Sequence, residues 1–221
     1  MPDVGVFVAR QREFDLYTPA EVDRPLPAVI LVPGPVPADI ARPRDWPVYT
    51  GYGRLLANRD VSAAVVELPY HAMSQAPVLA DRLAEVIDNV RSAEHVDSAR
   101  IAVWAFSGGA RLMGRWLASS PAWLRCIALT YPVLGGPESV GTQAKSVRPG
   151  RPIVLTRVGR ELPQRQATVD EFLAVADRVG LRVDRIDVPD GRHGFDLLDH
   201  TEQSRDAVLA AVDAVVGHLL R

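Results

Sequence analysis

The sequence contains a single cysteine, no long hydrophobic run and no block of like charge. Because one cysteine cannot form an intrachain disulfide, the fold does not depend on a disulfide framework. That residue, Cys126, lies in an apolar stretch, so we interpret it as a strand residue rather than a catalytic thiol. No stretch approaches the roughly eighteen apolar residues of a transmembrane helix, and the N-terminal residues lack the pattern of a signal peptide. We therefore expect a cytoplasmic protein that does not span a membrane.

Charges of both signs are scattered along the 221 residues. The 25 basic and 27 acidic side chains give a net charge of −2, so the chain lacks the basic surface typical of nucleic-acid binding. It also lacks G-x-G-x-x-G, a phosphate-binding loop and His/Cys clusters at metal-ligand spacing. We expect no nucleic-acid partner, no cofactor and no metal. With 48% hydrophobic and 24% charged residues, residues 1–221 are predicted to form a single soluble domain.

Short apolar runs rich in β-branched residues alternate with longer segments of helical periodicity. This alternation predicts an α/β fold with a mostly parallel central sheet and helices on both faces. Eight strands are predicted at residues 4–9, 13–17, 28–32, 63–68, 101–105, 126–130, 153–157 and 183–188. Apolar stripes predict helices at residues 79–90, 112–117, 168–179 and 208–219. The first two strands have no helix between them, which indicates an antiparallel lead-in, and residues 33–47 and 134–152 are predicted loops.

Residues 105–109 have the sequence A-F-S-G-G, at the point where a buried strand gives way to a helical pattern. A strand–serine–helix turn exposes a nucleophile and places the next amide at a helix N-terminus, where it can stabilise an oxyanion. The usual pattern is G-x-S-x-G, because the residues two before and two after the serine crowd each other. Ala105 adds one methyl group at the first of these positions, and Gly109 fits the second. On this pattern alone, Ser107 is equally compatible with a helix N-cap.

A histidine suited to act as the base follows the last predicted strand. His193 lies in the turn-rich sequence P-D-G-R-H-G-F-D, residues 189–196, a setting that lets a general base reach a neighbouring strand. His71 also follows a strand and could line a pocket. We interpret His95, His200 and His218 as surface residues on helices or at their edges. His193 is therefore the predicted base.

The third member of a serine triad is expected after the penultimate strand, because the chain order in this arrangement is Ser, Asp/Glu, His. Glu161 is the first carboxylate in the loop after residues 153–157. A buried acid there would fix the histidine tautomer and stabilise the imidazolium. Asp190 and Asp196 lie beside His193 in the sequence, and either could orient its ring instead. Asp170 is predicted in the first turn of the following helix.

These motifs, in this order, resemble the α/β-hydrolase superfamily and, within it, the dienelactone-hydrolase-like esterases. The resemblance covers nearly the whole chain. It rests on the glycine–proline loop after residues 28–32, on R-I-A-V-W-A-F-S-G-G at the turn, on R-V-G-R-E-L-P at the acid and on H-G-F-D at the histidine. It implies that Ser107 is the nucleophile, His193 the general base and then acid, and Glu161 the orienting acid. It also implies an oxyanion hole built in part from the Gly108 amide.

Two departures from the family pattern bear on function. Dienelactone hydrolases proper have a cysteine nucleophile where this chain has Ser107, so the chain is more similar to the serine esterases of the group. Their particular lactone substrate therefore does not carry over. In the family, the residue after a glycine in the loop following residues 28–32 supplies the second oxyanion donor, and here Pro35 has no N–H. The hypothesis that this loop is shifted by one residue assigns the donor to Val36.

The sequence thus predicts a cofactor-independent serine hydrolase that cleaves a small ester or lactone through an acyl-enzyme. Two alternatives stay open: a hydrolase-fold protein of weak or no activity that binds a small molecule or a partner, and an acyltransferase with the same three residues. We expect a small-molecule substrate and no membrane association, and we leave a homodimer open. The predicted pocket is fairly open and bounded by residues 33–49, 70–76 and 134–149. Candidate wall residues, of which the aromatic ones are equally compatible with core packing, are Pro35, Trp46, Tyr70, His71, Met73, Tyr131 and Phe195.

Overall fold

The strands of the central sheet match the sequence prediction in number and order. The computed structural model describes residues 5–135 and 150–221. The strands in these residues are β1 (Val6–Arg10), β2 (Phe14–Pro19), β3 (Leu26–Val32), β4 (Ser62–Val66), β5 (Val96–Phe106), β6 (Leu124–Thr130), β7 (Ile153–Arg160) and β8 (Val183–Arg192). They form one sheet in the order β1-β2-β4-β3-β5-β6-β7-β8, in which β3 to β8 run parallel and β2 is antiparallel to β1 and β4. The α/β fold class and the antiparallel lead-in are confirmed, and residue 4, the predicted start of the first strand, lies outside the described residues.

Helices pack on both faces of this sheet. Their bounds are α1 (Pro47–Ala57), α2 (Ala76–Arg91), α3 (Gly114–Ala118), α4 (Pro163–Arg178), α5 (Phe195–Leu198) and α6 (Glu202–Leu219). Sequence reasoning missed α1, although a proline at its first position and buried Tyr49, Tyr52 and Leu56 at helical spacing are helix signals. Because α4 begins at Pro163 rather than at residue 168, Asp170 lies in its middle and not in its first turn. Among the described residues, no helix is both long and apolar enough to cross a membrane.

Two buried layers hold the helices on the sheet. Side chains along each strand alternate between the layers, so that Val103 and Trp104 of β5 belong to opposite ones. The layer with Val103 contains the buried faces of α2 and α4, and the layer with Trp104 contains those of α1 and α6. All seven residues of β3 are buried, which explains why its sequence is a continuous apolar run rather than an alternating one. Because helices cover both faces of the sheet, we expect a functional site at its carboxyl edge.

The three residues predicted to form a triad lie at that carboxyl edge. Ser107 directly follows β5, Glu161 follows β7 and His193 follows β8. The loop with Pro35 leaves the end of β3, the neighbour of β5. The predicted loop at residues 134–152 falls largely on residues 136–149, which lie outside the described residues. Parallel strands therefore bring together residues that are far apart in the chain.

Two predictions about single side chains have different outcomes. Cys126 is a buried residue of β6, as predicted. His218 is not a surface residue, because its side chain is 5% exposed and its Nε2 donates a hydrogen bond to Asp184 at 2.7 Å. That prediction was wrong because α6 packs against β8, where the buried imidazole finds a carboxylate partner.

Candidate active site

Ser107 lies on a tight turn between β5 and a 3₁₀ segment at Ser107–Met113. Its φ angle of +50° is in the left-handed region, where a residue other than glycine bears a strain of about 1–3 kcal/mol. The N-cap of the 3₁₀ segment is Phe106, and no side chain caps it, so Ser107 is not acting as a helix N-cap. A strained serine between a strand and a helical segment is the geometry of a nucleophile elbow.

Close packing explains the small residues around Ser107. A Cβ added at Gly109 would lie 2.8 Å from the Pro33 carbonyl oxygen, closer than any real Cβ contact, so only glycine fits there. A Cβ added at Gly34 would lie 3.2 Å from Ser107 Cβ. Ala105 is fully buried, so its methyl group is accommodated where the usual pattern has glycine. The loop after β3 is therefore in direct contact with the turn that carries Ser107.

His193 meets Ser107 from the end of β8. Ser107 Oγ lies 2.7 Å from His193 Nε2. Gly194 follows with a φ of +79°, which glycine adopts without strain. On the other side, the Arg192 amide and guanidinium both donate to the Asp199 carboxylate, at 3.0 and 2.6 Å. The loop is thus fixed on both sides of the imidazole.

Glu161 extends this pair into a chain of hydrogen bonds. Its Oε2 accepts from His193 Nδ1 at 2.5 Å, and its Oε1 accepts from the Leu162 amide at 2.8 Å. Arg165, in α4, places its guanidinium 3.4 Å from the same Oε1. These donors stabilise a carboxylate that is only 7% exposed. Because Nδ1 donates to Glu161, Nε2 is left as the acceptor for the Ser107 hydroxyl.

The two carboxylates that sequence reasoning left open do not take this position. Asp190 is exposed and forms an ion pair at 3.6 Å on the surface. Asp196 is partly buried and accepts hydrogen bonds from two tyrosine hydroxyls. Among the described residues, Glu161 is therefore the carboxylate that the structure joins to His193.

Gly108, the residue after Ser107, is the first candidate donor for an oxyanion. Its amide lies at the start of a helical segment, where amides have no acceptor within the helix. The Tyr70 hydroxyl donates to the Gly108 carbonyl oxygen at 3.1 Å, which holds the following peptide in place. A Cβ added at Gly108 would lie 2.6 Å from both Pro35 Cδ and Met73 Sδ. Because residue 108 is glycine, the side chains of Pro35 and Met73 can pack against it.

The loop after β3 does not supply the second donor that the sequence assigned to it. Pro35 has no N–H, and its Cδ, which replaces the amide hydrogen, lies against Gly108. The Val36 amide donates to the Tyr70 carbonyl oxygen at 2.9 Å. Because its one proton is used there, the prediction that Val36 presents its amide to Ser107 is wrong. The sequence could not reveal this, since the acceptor lies in a different loop, after β4.

The loop after β4 lies against the loop after β3. The exposed His71 ring donates through Nδ1 to the Val36 carbonyl oxygen at 2.9 Å. The Gln75 side chain accepts hydrogen bonds from the His71 and Ala72 amides, at 2.7 and 2.9 Å. These contacts fix the segment that places Met73 beside the nucleophile. This loop carries three of the candidate wall residues. Met73 lies against Gly108, the Tyr70 hydroxyl donates to the Gly108 carbonyl oxygen, and His71 braces the loop.

The predicted aromatic wall residues after β6 and β8 and before α1 differ in position. Tyr131 lies at the site, with its ring centroid 4.8 Å from that of His193. Phe195 is 1% exposed and packs edge-on against Tyr131, so it is a core residue and not a pocket wall. Trp46 stacks on Tyr49, and among the described residues it has no ring contact or hydrogen bond with the triad. Of these three aromatic residues, only Tyr131 contacts a member of the candidate triad.

Cavity size does not locate this site. A cavity of about 600 Å³ is lined by β1, β2 and the end of α2, and none of its lining residues belongs to the Ser107, His193 and Glu161 set. Within the described residues, no group of three or more His, Cys, Asp and Glu side chains could hold a metal ion. A smaller cavity of about 310 Å³ is lined in part by Tyr131 and Glu161. The chain of hydrogen bonds, with this smaller cavity beside it, therefore defines the candidate active site.

The sheet order, the strained serine after β5 and the order of the three joined side chains define an α/β-hydrolase fold. A protein assigned as a dienelactone hydrolase from Klebsiella pneumoniae has a TM-score of 0.71 and 17% identity over 98% of both chains. A truncated carbohydrate esterase from gut microbiota has a TM-score of 0.74 and 13% identity over 100% of this chain and 99% of that chain. Esterase B from Lactobacillus rhamnosis, with a tributyrin phosphonate, has a TM-score of 0.70 and 15% identity over 99% of this chain and 87% of its own. No family model matches the chain, and no curated protein is significantly similar in sequence.

Proposed function

We propose that the protein is a carboxylic-ester hydrolase that forms an acyl-enzyme at Ser107. The observation that carries this proposal is the continuous chain from Ser107 Oγ through His193 to Glu161, with links of 2.7 and 2.5 Å. Solved structures of the same fold that are described as esterases support the reaction class.

Each member of the chain has a defined part in the reaction. Ser107 Oγ attacks the ester carbonyl carbon while its proton passes to His193 Nε2. Glu161 accepts from Nδ1 and stabilises the imidazolium that forms. When the tetrahedral intermediate collapses, His193 gives this proton to the departing alcohol. It then takes a proton from a water that attacks the acyl carbon, and returns that proton to Ser107 Oγ as the bond between Oγ and the acyl carbon breaks and the acid leaves.

The surroundings of Gly108 favour a substrate with a short acyl group. The carbonyl oxygen of a substrate attacked by Ser107 would approach the Gly108 amide, the donor next to the nucleophile. Pro35 and Met73 both lie against Gly108 and leave no room for even one added carbon atom there. A small ester or lactone therefore suits the site better than a long-chain lipid.

A second candidate function is binding of such a molecule without efficient turnover. The specific observation in its favour is that neither Pro35 nor Val36 offers an amide proton to an oxyanion. Loss of one oxyanion donor typically costs a factor of about 10²–10³ in turnover. A triad with one remaining amide is therefore compatible with slow catalysis or with binding alone.

Release of p-nitrophenol from acetate and butyrate esters tests the proposal. Ser107→Ala removes the nucleophile, and we expect kcat to fall by about 10⁴-fold or more. Glu161→Gln keeps the size of the acid but disturbs the histidine tautomer, and we expect a loss of about 10³–10⁴-fold. Asp190→Asn is the matched control, because this exposed carboxylate also lies near His193 in sequence and should leave kcat unchanged.

A fluorophosphonate probe separates the two candidates. An esterase is labelled at Ser107 and the alanine variant is not. Equal p-nitrophenol release by folded wild type and Ser107→Ala, together with no labelling, would reject the esterase and leave the binding function. An added alcohol acceptor distinguishes acyl transfer, since a transferase converts it to a new ester while hydrolysis yields only the acid.

A further inference from the structure

Next to His193 lies a cluster of one partly buried carboxylate and two buried tyrosines that the proposed mechanism does not use. Asp196 Oδ1 accepts a hydrogen bond from the Tyr131 hydroxyl at 2.8 Å, and Oδ2 accepts one from the Tyr52 hydroxyl at 3.1 Å. Asp196 belongs to α5, Tyr52 to α1, and Tyr131 follows β6. The cluster therefore connects three separate segments of the chain.

Asp196 has no cation to balance its charge. Among the described residues it forms no ion pair, and its recorded side-chain donors are the two phenol hydroxyls. Burial raises the pKa of Asp196, and hydrogen bonds from Tyr131, from Tyr52 and from the backbone amides of Asp196 and Leu197 only partly oppose this effect. A partly buried carboxyl group without a cation depends on each of its donors, because a lost partner leaves an acceptor unsatisfied.

Tyr131 carries the connection from this cluster to the active site. Its ring lies 4.8 Å from the His193 ring, centroid to centroid, at an interplanar angle of 56°. Its backbone has a φ of +36°, a strained value for tyrosine, and its amide donates to the Thr156 carbonyl oxygen at 2.8 Å. The hydroxyl bond to Asp196 fixes the far end of the side chain. Tyr131 is thus held at both ends while its ring contacts the imidazole.

The nitrogens of an imidazole donate and accept along directions in the plane of the ring. The hydrogen bonds of His193 to Ser107 and Glu161 therefore restrain the ring less against tilting about the line that joins its two nitrogens. A fixed aromatic ring against the imidazole restricts this tilt. We infer that Asp196 is a positioning residue that, through the Tyr131 ring, holds the His193 imidazole in the orientation that joins Ser107 to Glu161. The inference rests on the proposed function, and it gives Asp196 a role other than that of the triad acid.

Tyr52 provides a matched control for Tyr131. Both tyrosines are buried, and both donate one hydrogen bond to the same carboxylate. The Tyr52 ring, however, contacts Trp104 and Phe106 in the core rather than His193. Replacing either tyrosine by phenylalanine therefore removes the same kind of bond, but only Tyr131→Phe frees a ring that touches the catalytic histidine.

The experiment compares Tyr131→Phe, Tyr52→Phe and Asp196→Asn with the wild type. For both tyrosine variants we expect a similar decrease in Tm, about 3–6 °C. For Tyr131→Phe we expect kcat for p-nitrophenyl acetate to fall about tenfold with KM within about twofold of wild type, because a misplaced base slows the chemical step. For Tyr52→Phe we expect kcat to stay within about twofold of wild type. Asp196→Asn should lower kcat in the wild type and add little to Tyr131→Phe, since both changes act through one ring.

Equal kcat values for the two tyrosine variants, whether unchanged or equally reduced, would overturn the inference and assign the cluster a structural role. NMR of the ring nitrogens of the five histidines gives a readout that does not require turnover. With the His193 signals assigned from a His193→Gln variant, they should change in Tyr131→Phe and not in Tyr52→Phe. If the wild type releases no more p-nitrophenol than Ser107→Ala, the proposed function fails, and the NMR comparison alone decides whether Asp196 positions His193. Unchanged His193 signals in Tyr131→Phe would then reject the inference.

Discussion

Replacing Pro35 by alanine should increase turnover, because it returns an N–H to the oxyanion side of the site. Proline carries Cδ on its nitrogen in the position where other residues carry the amide hydrogen. In the structure this Cδ lies against Gly108, 2.6 Å from where a Cβ on Gly108 would be placed. An amide hydrogen at position 35 would therefore point toward the same region as the donor that follows Ser107.

The size of the gain follows from what one oxyanion donor contributes. Removing such a donor costs a factor of about 10²–10³ in kcat, so restoring it can return at most that amount. The alanine loop is less rigid than the proline loop, and a Pro-to-Ala change of this kind costs about 0.4–1 kcal/mol of folding stability. We therefore expect kcat to rise by about 10–100-fold in Pro35→Ala, with a slightly lower Tm.

Two control variants distinguish the effect of a new N–H donor from the effect of extra space beside Gly108. Pro37→Ala removes a proline from the same loop, and Met73→Ala opens the other side of Gly108 without adding an N–H. A donor stabilises the transition state of every ester, so Pro35→Ala should raise kcat for acetate and butyrate esters equally. The reasoning is refuted if Pro35→Ala behaves like Pro37→Ala. It is also refuted if its gain is confined to butyrate and matched by Met73→Ala.

Three further predictions follow from contacts around the site and in the core. Met73→Ala removes a side chain that packs against Gly108, so it should raise the ratio of kcat/KM for butyrate over acetate esters by about tenfold. As a control, Val78→Ala in α2, at a position that is 78% exposed, should leave this ratio unchanged. Arg165→Met removes a donor to Glu161 Oε1 and should lower kcat about threefold to tenfold. The expected loss is modest because the Arg165 side chain is 35% exposed. Arg165→Lys should recover part of the lost activity, and Arg178→Met, at the other end of α4, should leave kcat unchanged. Burial raises the pKa of Asp184, but hydrogen bonds from His218 and Arg182 outweigh burial and leave this pKa below its ordinary value. The charged carboxylate therefore stabilises the fold above about pH 4, and this stabilisation is lost as the pH falls through the lowered pKa. Asp184→Asn should therefore lower the free energy of unfolding by about 1 kcal/mol at pH 7 in urea titrations, and a difference that persists unchanged at pH 2 would contradict this account.

The residues that could be predicted from the sequence are those whose positions follow from local patterns. Ser107 and His193 each directly follow a strand, and parallel strands in a covered sheet bring their carboxyl ends to one edge. Chain order pointed to Glu161, and among the described residues Glu161 is the carboxylate that accepts from His193 Nδ1. In each case the information lies within a few residues of the side chain concerned.

The residues that could not be predicted are those whose partners come from another loop. The Val36 amide looked available because nothing nearby in sequence occupies it, but its acceptor is the Tyr70 carbonyl oxygen. Asp196 was open as a triad acid because it neighbours His193 in sequence, while its real partners, Tyr52 and Tyr131, lie on other segments. Tyr52 in particular depends on α1, a helix that the sequence prediction lacked.

Backbone strain helps to choose between catalysis and binding alone. Ser107, at a φ of +50°, and Tyr131, at +36°, are both held in the left-handed region, at a cost of about 1–3 kcal/mol each. A serine that served only as a helix cap would have an ordinary extended backbone, and a tyrosine that served only as a core residue would need no positive φ. Both strained residues instead contact the His193 ring, one through a hydrogen bond and one through its aromatic face. Because both strained residues contact the proposed general base, we favour the proposed ester hydrolysis, with the Gly108 amide as its one candidate oxyanion donor, over binding without chemistry.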